Sequence, residues 1–497
     1  MSSFCSPWST WLVVGVAILL RLCVGLGRYS GADNHPKYGD YEAQRHWMEI
    51  TTNLPVLDWY RQTPDNDLSY WGLDYPPLTA YQSWLYGKVI EKLDPKSVEL
   101  HESRGHQHSK LLMRWSVLIS DSILIFSSIL WANTVRPQQP KRNQLATIAI
   151  LLAVLLQPPC ILIDHGHFQY NGISLGLTLL ATVVICKGWH CLGSILYCCA
   201  INHKHMALYF APAFFGYLFG CCLKRGAVKG LGKFFALGFT VIGTFAVLWL
   251  PFIQNPAQGN YLAVISRLVP LERGVFEDYV ASFWCATKPL LKWKERFDPG
   301  SMFRLCTLAT VASFTPSMIH QIAKPSQTGF VYSMANSALG FFLFSYQVHE
   351  KSILLALLPI TMLAVDEPHL AQWLPIVASF SMYPLLERDG LILQYFAMII
   401  LYACLPIVEL LSNNPPKRPH SPRSTKDILF VSWMWFSGVI MCALHFARAA
   451  IPAHGSLPYI HDALFVGFSF VQFLGVYVYL NVRQLARSDL HGKVKTV

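Results

Sequence analysis

Residues 11–26 read WLVVGVAILLRLCVGL, apolar throughout except for Arg21. With its flanks the run covers residues 9–27, and roughly 17–25 apolar residues suffice to carry a helix across a ~30 Å hydrocarbon core. No basic stretch leads into the run and no clear small-residue cleavage site follows it, so the expectation is a retained first span, not a signal peptide. Comparable runs recur near 112–134, 145–163, 170–187, 189–202, 205–223, 230–252, 302–321, 329–346, 352–365, 370–386, 391–411, 428–448 and 462–482, about fourteen in all by this length criterion. Of the 497 residues, 53% are hydrophobic and 13% charged, where a soluble domain carries roughly 25% charged residues. The shortfall runs along the whole length, which excludes a soluble enzyme with a single anchor. In lipid the backbone must satisfy its own hydrogen bonds, so the spans have to be helices. The expected fold is all-α and polytopic, one integral membrane domain over residues 1–497.

The formal net charge of +11 does not call for nucleic acid as a partner. Arg136, Lys141 and Arg142, then Lys224, Arg225, Lys229 and Lys233, then Lys417, Arg418, Arg423 and Lys426 fall on alternate loops, followed by Arg483, Arg487, Lys493 and Lys495 in the tail. Such a bias marks the cytosolic side, and an even number of spans places both termini there. Only the loop with Asp366 and Glu367 fits this poorly. The thirteen cysteines read as small hydrophobes, since most, such as Cys198, Cys199, Cys221 and Cys222, lie in apolar runs. No internal repeat is visible. The opposite side carries two long segments, 28–111 and 253–301, and long connections in a compact protein are usually functional. Trp47, Trp59, Tyr60, Tyr70, Trp71 and Tyr75 in the first of them suit a membrane-interface layer with helices lying flat, or else sugar-stacking platforms.

Six polar clusters fall on that same side. They are Gly39 to His46 with Asp40 and Glu42, Trp71 to Pro77 with Asp74 and Tyr75, Asp164 to Asn171 with His167 and Gln169, Asn202 to His205, Glu272 to Asp278 with Arg273, and Gln347 to Lys351 with His349. Any one of these could be a solvated helix end or a structural ion pair. Ionisable residues at membrane depth are costly and are kept for function, and six such clusters facing one compartment point to a cavity that handles a polar, lipid-linked substrate. Pro76 and Pro77 hold Asp74 in a rigid extended turn. The His165/His167 and His203/His205 pairs have the chemistry of metal ligands, but no carboxylate stands at ligand spacing, and neither a metal nor another cofactor is expected. A lipid flippase or transporter is the rival class, although such proteins often show inverted repeats and broken helices at the midplane.

Gly39-Asp-Tyr-Glu-Ala-Gln-Arg-His-Trp47, Tyr70-Trp-Gly-Leu-Asp-Tyr-Pro-Pro77, Asp164-His-Gly-His-Phe-Gln-Tyr-Asn171 and Phe344-Ser-Tyr-Gln-Val-His-Glu-Lys351 resemble the dolichyl-phosphate-glucose-dependent glucosyltransferases of the endoplasmic reticulum, within the glycosyltransferase-C superfamily. The resemblance covers about residues 20–400 and, more loosely, the rest. Ala43, Gln44, Trp71 and Gly72 favour the branch that adds the first glucose over its sister that adds the second. The resemblance implies interfacial helices in the lumenal loops and α-1,3 transfer of glucose, with inversion, from dolichyl phosphate glucose to the nine-mannose dolichyl-pyrophosphate oligosaccharide. It also implies Asp40 as catalytic base. Glu42, Asp74, Tyr75, His167, Gln169, Arg273, His349 and Lys351 are the candidate substrate-binding residues, His349 and Lys351 toward the departing phosphate. Lys493 and Lys495 look like a dilysine signal read by coat-protein retrieval machinery on a cytosolic tail.

Overall fold

The computed structural model describes residues 7–34, 36, 38–105, 110–135, 140–254, 260–268, 279–411, 425–453, 455 and 457–486. Among the described residues the chain is helical, with a single isolated bridge between Thr63 and Asn66 in place of any strand. Eight helices are long and apolar enough to cross a membrane: Trp8–Gly25, Lys110–Thr134, His205–Leu223, Ala227–Leu248, Pro299–Ala323, Ile392–Leu411, Ile428–Ala450 and Ile460–Ala486. A ninth candidate is the pair Gln144–Leu155 and Pro158–Phe168, bent by 42°. The other expected spans also fold as helices, at Asn171–Cys186, His190–His203, Gln327–Phe344, Ile353–Met362 and Pro368–Ser381, but these are shorter or more polar. Every residue of Ile353–Met362 is buried, as suits a helix that is apolar on all sides. By contrast Ala227–Leu248 and Ile428–Ala450 are 6% and 11% buried, faces left to lipid.

With no water to expel between helices in a bilayer, polar groups do part of the joining. The Gln484 side-chain carbonyl accepts from Ser317 Oγ at 2.7 Å and from Asn336 Nδ2 at 2.8 Å, which ties three helices together. Arg21, the charge inside the first run, donates from Nε to Asp121 Oδ2 at 2.5 Å and from Nη1 to the Leu155 carbonyl at 2.9 Å. Asp121 lies at the joint between Lys110–Ser120 and Ser122–Thr134. Pro158 and Pro159 start the helix after the bend, where the missing N–H of proline costs no helix hydrogen bond.

The first long segment is more regular than its sequence indicates. It holds the helices Asp40–Asn53 and Pro77–Leu93 and short 3₁₀ turns. Its aromatics correct the interface reading. Trp47, Trp59, Tyr60 and Tyr70 are 2–7% exposed, and Trp47, Trp59 and Tyr60 pack with Leu73, Phe252 and Val264 into a small core of their own. These four face protein, while Trp71 and Tyr75 are half-buried.

Candidate active site

Asp40 opens its helix from an extended Gly39 (φ −122°, ψ −156°). A Cβ at Gly39 would lie 2.4 Å from Ser30 Oγ, so only glycine allows this approach. The same Ser30 hydroxyl accepts from the Asp40 backbone N–H at 3.2 Å, and the Ser30 N–H donates to the His167 carbonyl at 3.0 Å. The start of the helix is thus fastened to the segment that carries His167. A carboxylate in the first turn also gains from the helix dipole.

Three groups converge on one oxygen of Asp40. Lys351 Nζ donates to Oδ2 at 2.5 Å, His167 Nε2 lies 3.0 Å from it, and the Gln169 side-chain amide donates to it as well. Lys351 Nζ is also 3.1 Å from His167 Nε2. Burial alone would raise the Asp40 carboxyl. The Lys351 ammonium and then His167 more than offset that, holding it well below the usual carboxylate range. Burial likewise works against the Lys351 ammonium, yet Asp40 and then Glu350 raise its pKa. The Asp40 side chain keeps 23% exposure, which leaves the group reachable.

Two of the three donors, His167 and Gln169, are oriented from behind. His167 Nδ1 is hydrogen-bonded to Asp389 Oδ2 at 2.5 Å. Lys204 donates to Gln169 Oε1 at 3.2 Å and to Asn171 Oδ1 at 2.6 Å, so the amide N–H₂ of Gln169 is the end turned to Asp40. Burial, and then repulsion from Lys351, lowers the Lys204 pKa against the pull of Asp164, Asp40 and Asp74. His167 itself sits in a π-helix, Leu162–Phe168, a form found mostly as single turns at functional sites. Phe168 takes φ 95°, strain that persists only where surroundings over-determine it. Those surroundings are Arg114, whose Nη2 donates to the Gly166 carbonyl at 3.0 Å and whose guanidinium is 5.4 Å from the Phe168 ring centre, and His165, held to Asp121 at 2.9 Å. Asp164 caps the following helix by accepting from the Gly172 N–H at 2.8 Å.

The structure brings Asp40, His167, Gln169 and Lys351 together. Glu42 lies apart from them. It is bound by Arg45 through both oxygens at 2.7 and 3.0 Å, and it accepts from the Tyr70 hydroxyl at 2.9 Å. Arg45 continues to Glu49 at 2.7 Å, a buried network inside the segment. Tyr75 stands next to the cluster, with its ring 5.1 Å from the Lys204 ammonium and its carbonyl accepting from Tyr60. Asp74 acts on Lys204 by charge. His349 is half-buried at the head of the Glu350–Ser352 turn. Arg273 lies outside the described residues, as do Lys493 and Lys495.

Asp389, Lys204 and Asp121 are the residues that motif reading did not assign to the site, and Arg21 was noted only as a charge in an apolar run. Lys204 stood in a noted cluster, and Asp389 in the polar turn Glu387–Gly390 between two apolar runs. The histidine pairs do not share a site: His165 meets Asp121, His167 meets Asp40 and Asp389, and His203 meets Gln82. Among the described residues no group of three or more His, Cys, Asp or Glu side chains is arranged to hold a metal ion. A small recess is lined by Tyr279, Glu350, Ser381, Met382, Pro384, Leu385 and Arg388.

The chain is similar to known proteins over nearly its full length. It is 43% identical over 488 residues, 96% of this chain and 89% of the relative, to the "Probable dolichyl pyrophosphate Man9GlcNAc2 alpha-1,3-glucosyltransferase" of Arabidopsis thaliana. It is 40% identical over 494 residues, 96% of each chain, to the dolichyl pyrophosphate Man9GlcNAc2 alpha-1,3-glucosyltransferase of Gallus gallus. To the protein of that name in Saccharomyces cerevisiae it is 40% identical over 404 residues, 79% of this chain and 73% of the relative. The model of the ALG6, ALG8 glycosyltransferase family matches residues 17–479, a span that takes in both the helical bundle and every described residue around Asp40. On likeness of this extent, the chain belongs to the ALG6, ALG8 glycosyltransferase family.

Proposed function

We propose that this protein transfers glucose from dolichyl phosphate β-glucose to the nine-mannose dolichyl-pyrophosphate oligosaccharide, in α-1,3 linkage and with inversion. The acceptor is the one in the printed names of its relatives. The observation that carries the mechanism is the crowding of three donors on Asp40 Oδ2, which leaves Oδ1 for the hydroxyl of an incoming sugar. That hydroxyl attacks the anomeric carbon, the new C–O bond forms as the bond to phosphate breaks, and its proton passes to Asp40. Dolichyl phosphate departs with the bonding pair as a stable anion, so one carboxylate suffices where inverting hydrolases need two. Lys351 stabilises the charge growing on the leaving phosphate, and His349 and Arg273 are the further candidates for that role. Glu42 serves by bracing the Asp40 helix through Arg45; Asp74 and Tyr75 border the sugar. The scheme needs no metal.

On this reading the reaction runs at the endoplasmic reticulum membrane, with the Asp40 face lumenal, both termini cytosolic, and Lys493 and Lys495 read by coat-protein retrieval machinery. A transfer assay on purified protein, with dolichyl phosphate glucose and separate nine-mannose and singly glucosylated acceptors, tests the function. Glucose on the nine-mannose acceptor alone is expected; transfer only to the glucosylated one assigns the sister activity, and no new bond in either assigns a transporter. Asp40→Asn abolishes transfer while expression and donor binding hold, and near-normal turnover would remove Asp40 from the role. Chelators leave the rate unchanged, whereas a loss rescued by a divalent ion would overturn the metal-free scheme.

A further inference from the structure

Asp389 stands where the helix Tyr383–Arg388 ends. Gly390 follows in left-handed backbone (φ 73°), and the Gly390 and Leu391 N–H groups donate to the Glu387 and Leu386 carbonyls at 3.0 and 2.9 Å. That is a helix stop which glycine makes without strain, and it fixes where the Asp389 side chain begins. The carboxylate is 7% exposed, and among the described residues its one hydrogen-bond partner is His167 Nδ1, at 2.5 Å. No Lys or Arg among them lies within 4.0 Å of it. A buried carboxylate is costly unless a cation pairs with it, and among the described residues the group in place to do so is the His167 ring. An ionised carboxylate only accepts hydrogen bonds. His167 Nδ1 therefore carries a proton, and so does Nε2, which donates to Asp40 Oδ2 at 3.0 Å, so the ring is an imidazolium held between two carboxylates.

We propose that Asp389 is a positioning residue of the transfer reaction: through Nδ1 it fixes the charge and orientation of His167, and so the surroundings of Asp40. This rests on the reading of Asp40 as base. In Asp389→Asn the counter-charge is gone, and a side-chain amide that donates to Nδ1 favours the neutral ring over the imidazolium. The expected result is a fall in kcat of about 10- to 100-fold with the donor KM held within about threefold. Because Asp389 acts through His167, the two are coupled. In a His167→Gln background, Asp389→Asn changes kcat by less than about twofold, which a merely structural role would not produce. Asp389→Glu keeps the carboxylate and recovers part of the rate; if Asp389→Asn yields no folded protein, the same cycle is run with Asp389→Glu. An equal fold-loss in both backgrounds overturns the proposal, as does Asp389→Asn within about twofold of wild type. Asp40→Asn, assayed in parallel, separates the two readings. If it is inactive while the cycle is additive, only the role of Asp389 fails; if it is active, the base assignment fails.

Discussion

The two oxygens of Asp40 meet different surroundings: three donors crowd Oδ2, and none among the described residues bonds Oδ1. The arrangement keeps the carboxylate ionised, and the same contacts make it a weak base at rest. A donor phosphate that draws Lys351 toward itself would return basicity to Asp40 when it is needed. The pH dependence follows from the sign of the shift. Because Lys351 and His167 hold Asp40 low, its protonation adds no acid limb to transfer between about pH 5 and 8. In Lys351→Ala, burial opposes ionisation with only His167 and the Gln169 amide against it, so residual activity is lost as pH falls through a limb displaced upward. Initial rates across that range check this; a limb that stays at the wild-type position would refute it.

At the scale of elements, the π-helix Leu162–Phe168 carries the site and is held by buried charge. Removing the carboxylate of Asp121 leaves Arg21, 1% exposed, without its counter-ion. Breaking such a pair from one side costs about 3–5 kcal/mol, so Asp121→Ala should lower the unfolding temperature in detergent sharply. Asp164→Ala removes a helix cap, worth roughly 1 kcal/mol, and its melting point should fall less. The reverse order would mean that the cap, not the Arg21–Asp121 pair, holds the turn. This support was only partly legible in advance. Arg21 stood out as the one charge in an apolar run, but its partner lies 100 residues away, and nothing in local pattern links them.

Across the whole molecule, inner helices such as Ile353–Met362 are enclosed while Ala227–Leu248 is left to lipid. Polar joints like Gln484 hold outer helices to inner ones. Interhelical hydrogen bonds of this kind average about 0.6 kcal/mol, so Gln484→Leu, which breaks three contacts, should lower stability modestly and leave kcat intact. A melting curve beside a transfer assay tests both halves; a large loss of kcat would tie this joint to the site. The orientation proposed for the bundle has its own check. A protease site inserted in 413–424 should be cut in sealed microsomes from outside, and one inserted near Asp65 only after detergent. The opposite pattern would invert the topology.

What the sequence determined by itself is the class of the protein and the four motif blocks. Apolar length is a local property, and a backbone in lipid has no alternative to helix. Asp40, His167, Gln169 and Lys351 were legible for a related reason, since each stands in a polar block between apolar runs. Only the tertiary structure decided that they share one oxygen, that Glu42 turns away to Arg45, and that the segment's aromatics form a core. It alone supplied Asp389 and Lys204 as the groups behind the donors. The physical reason is sequence distance. Asp389 lies 222 positions from His167 and Lys351 lies 311 from Asp40, and contacts that far apart are set by how the helices pack, which no periodicity in the chain records.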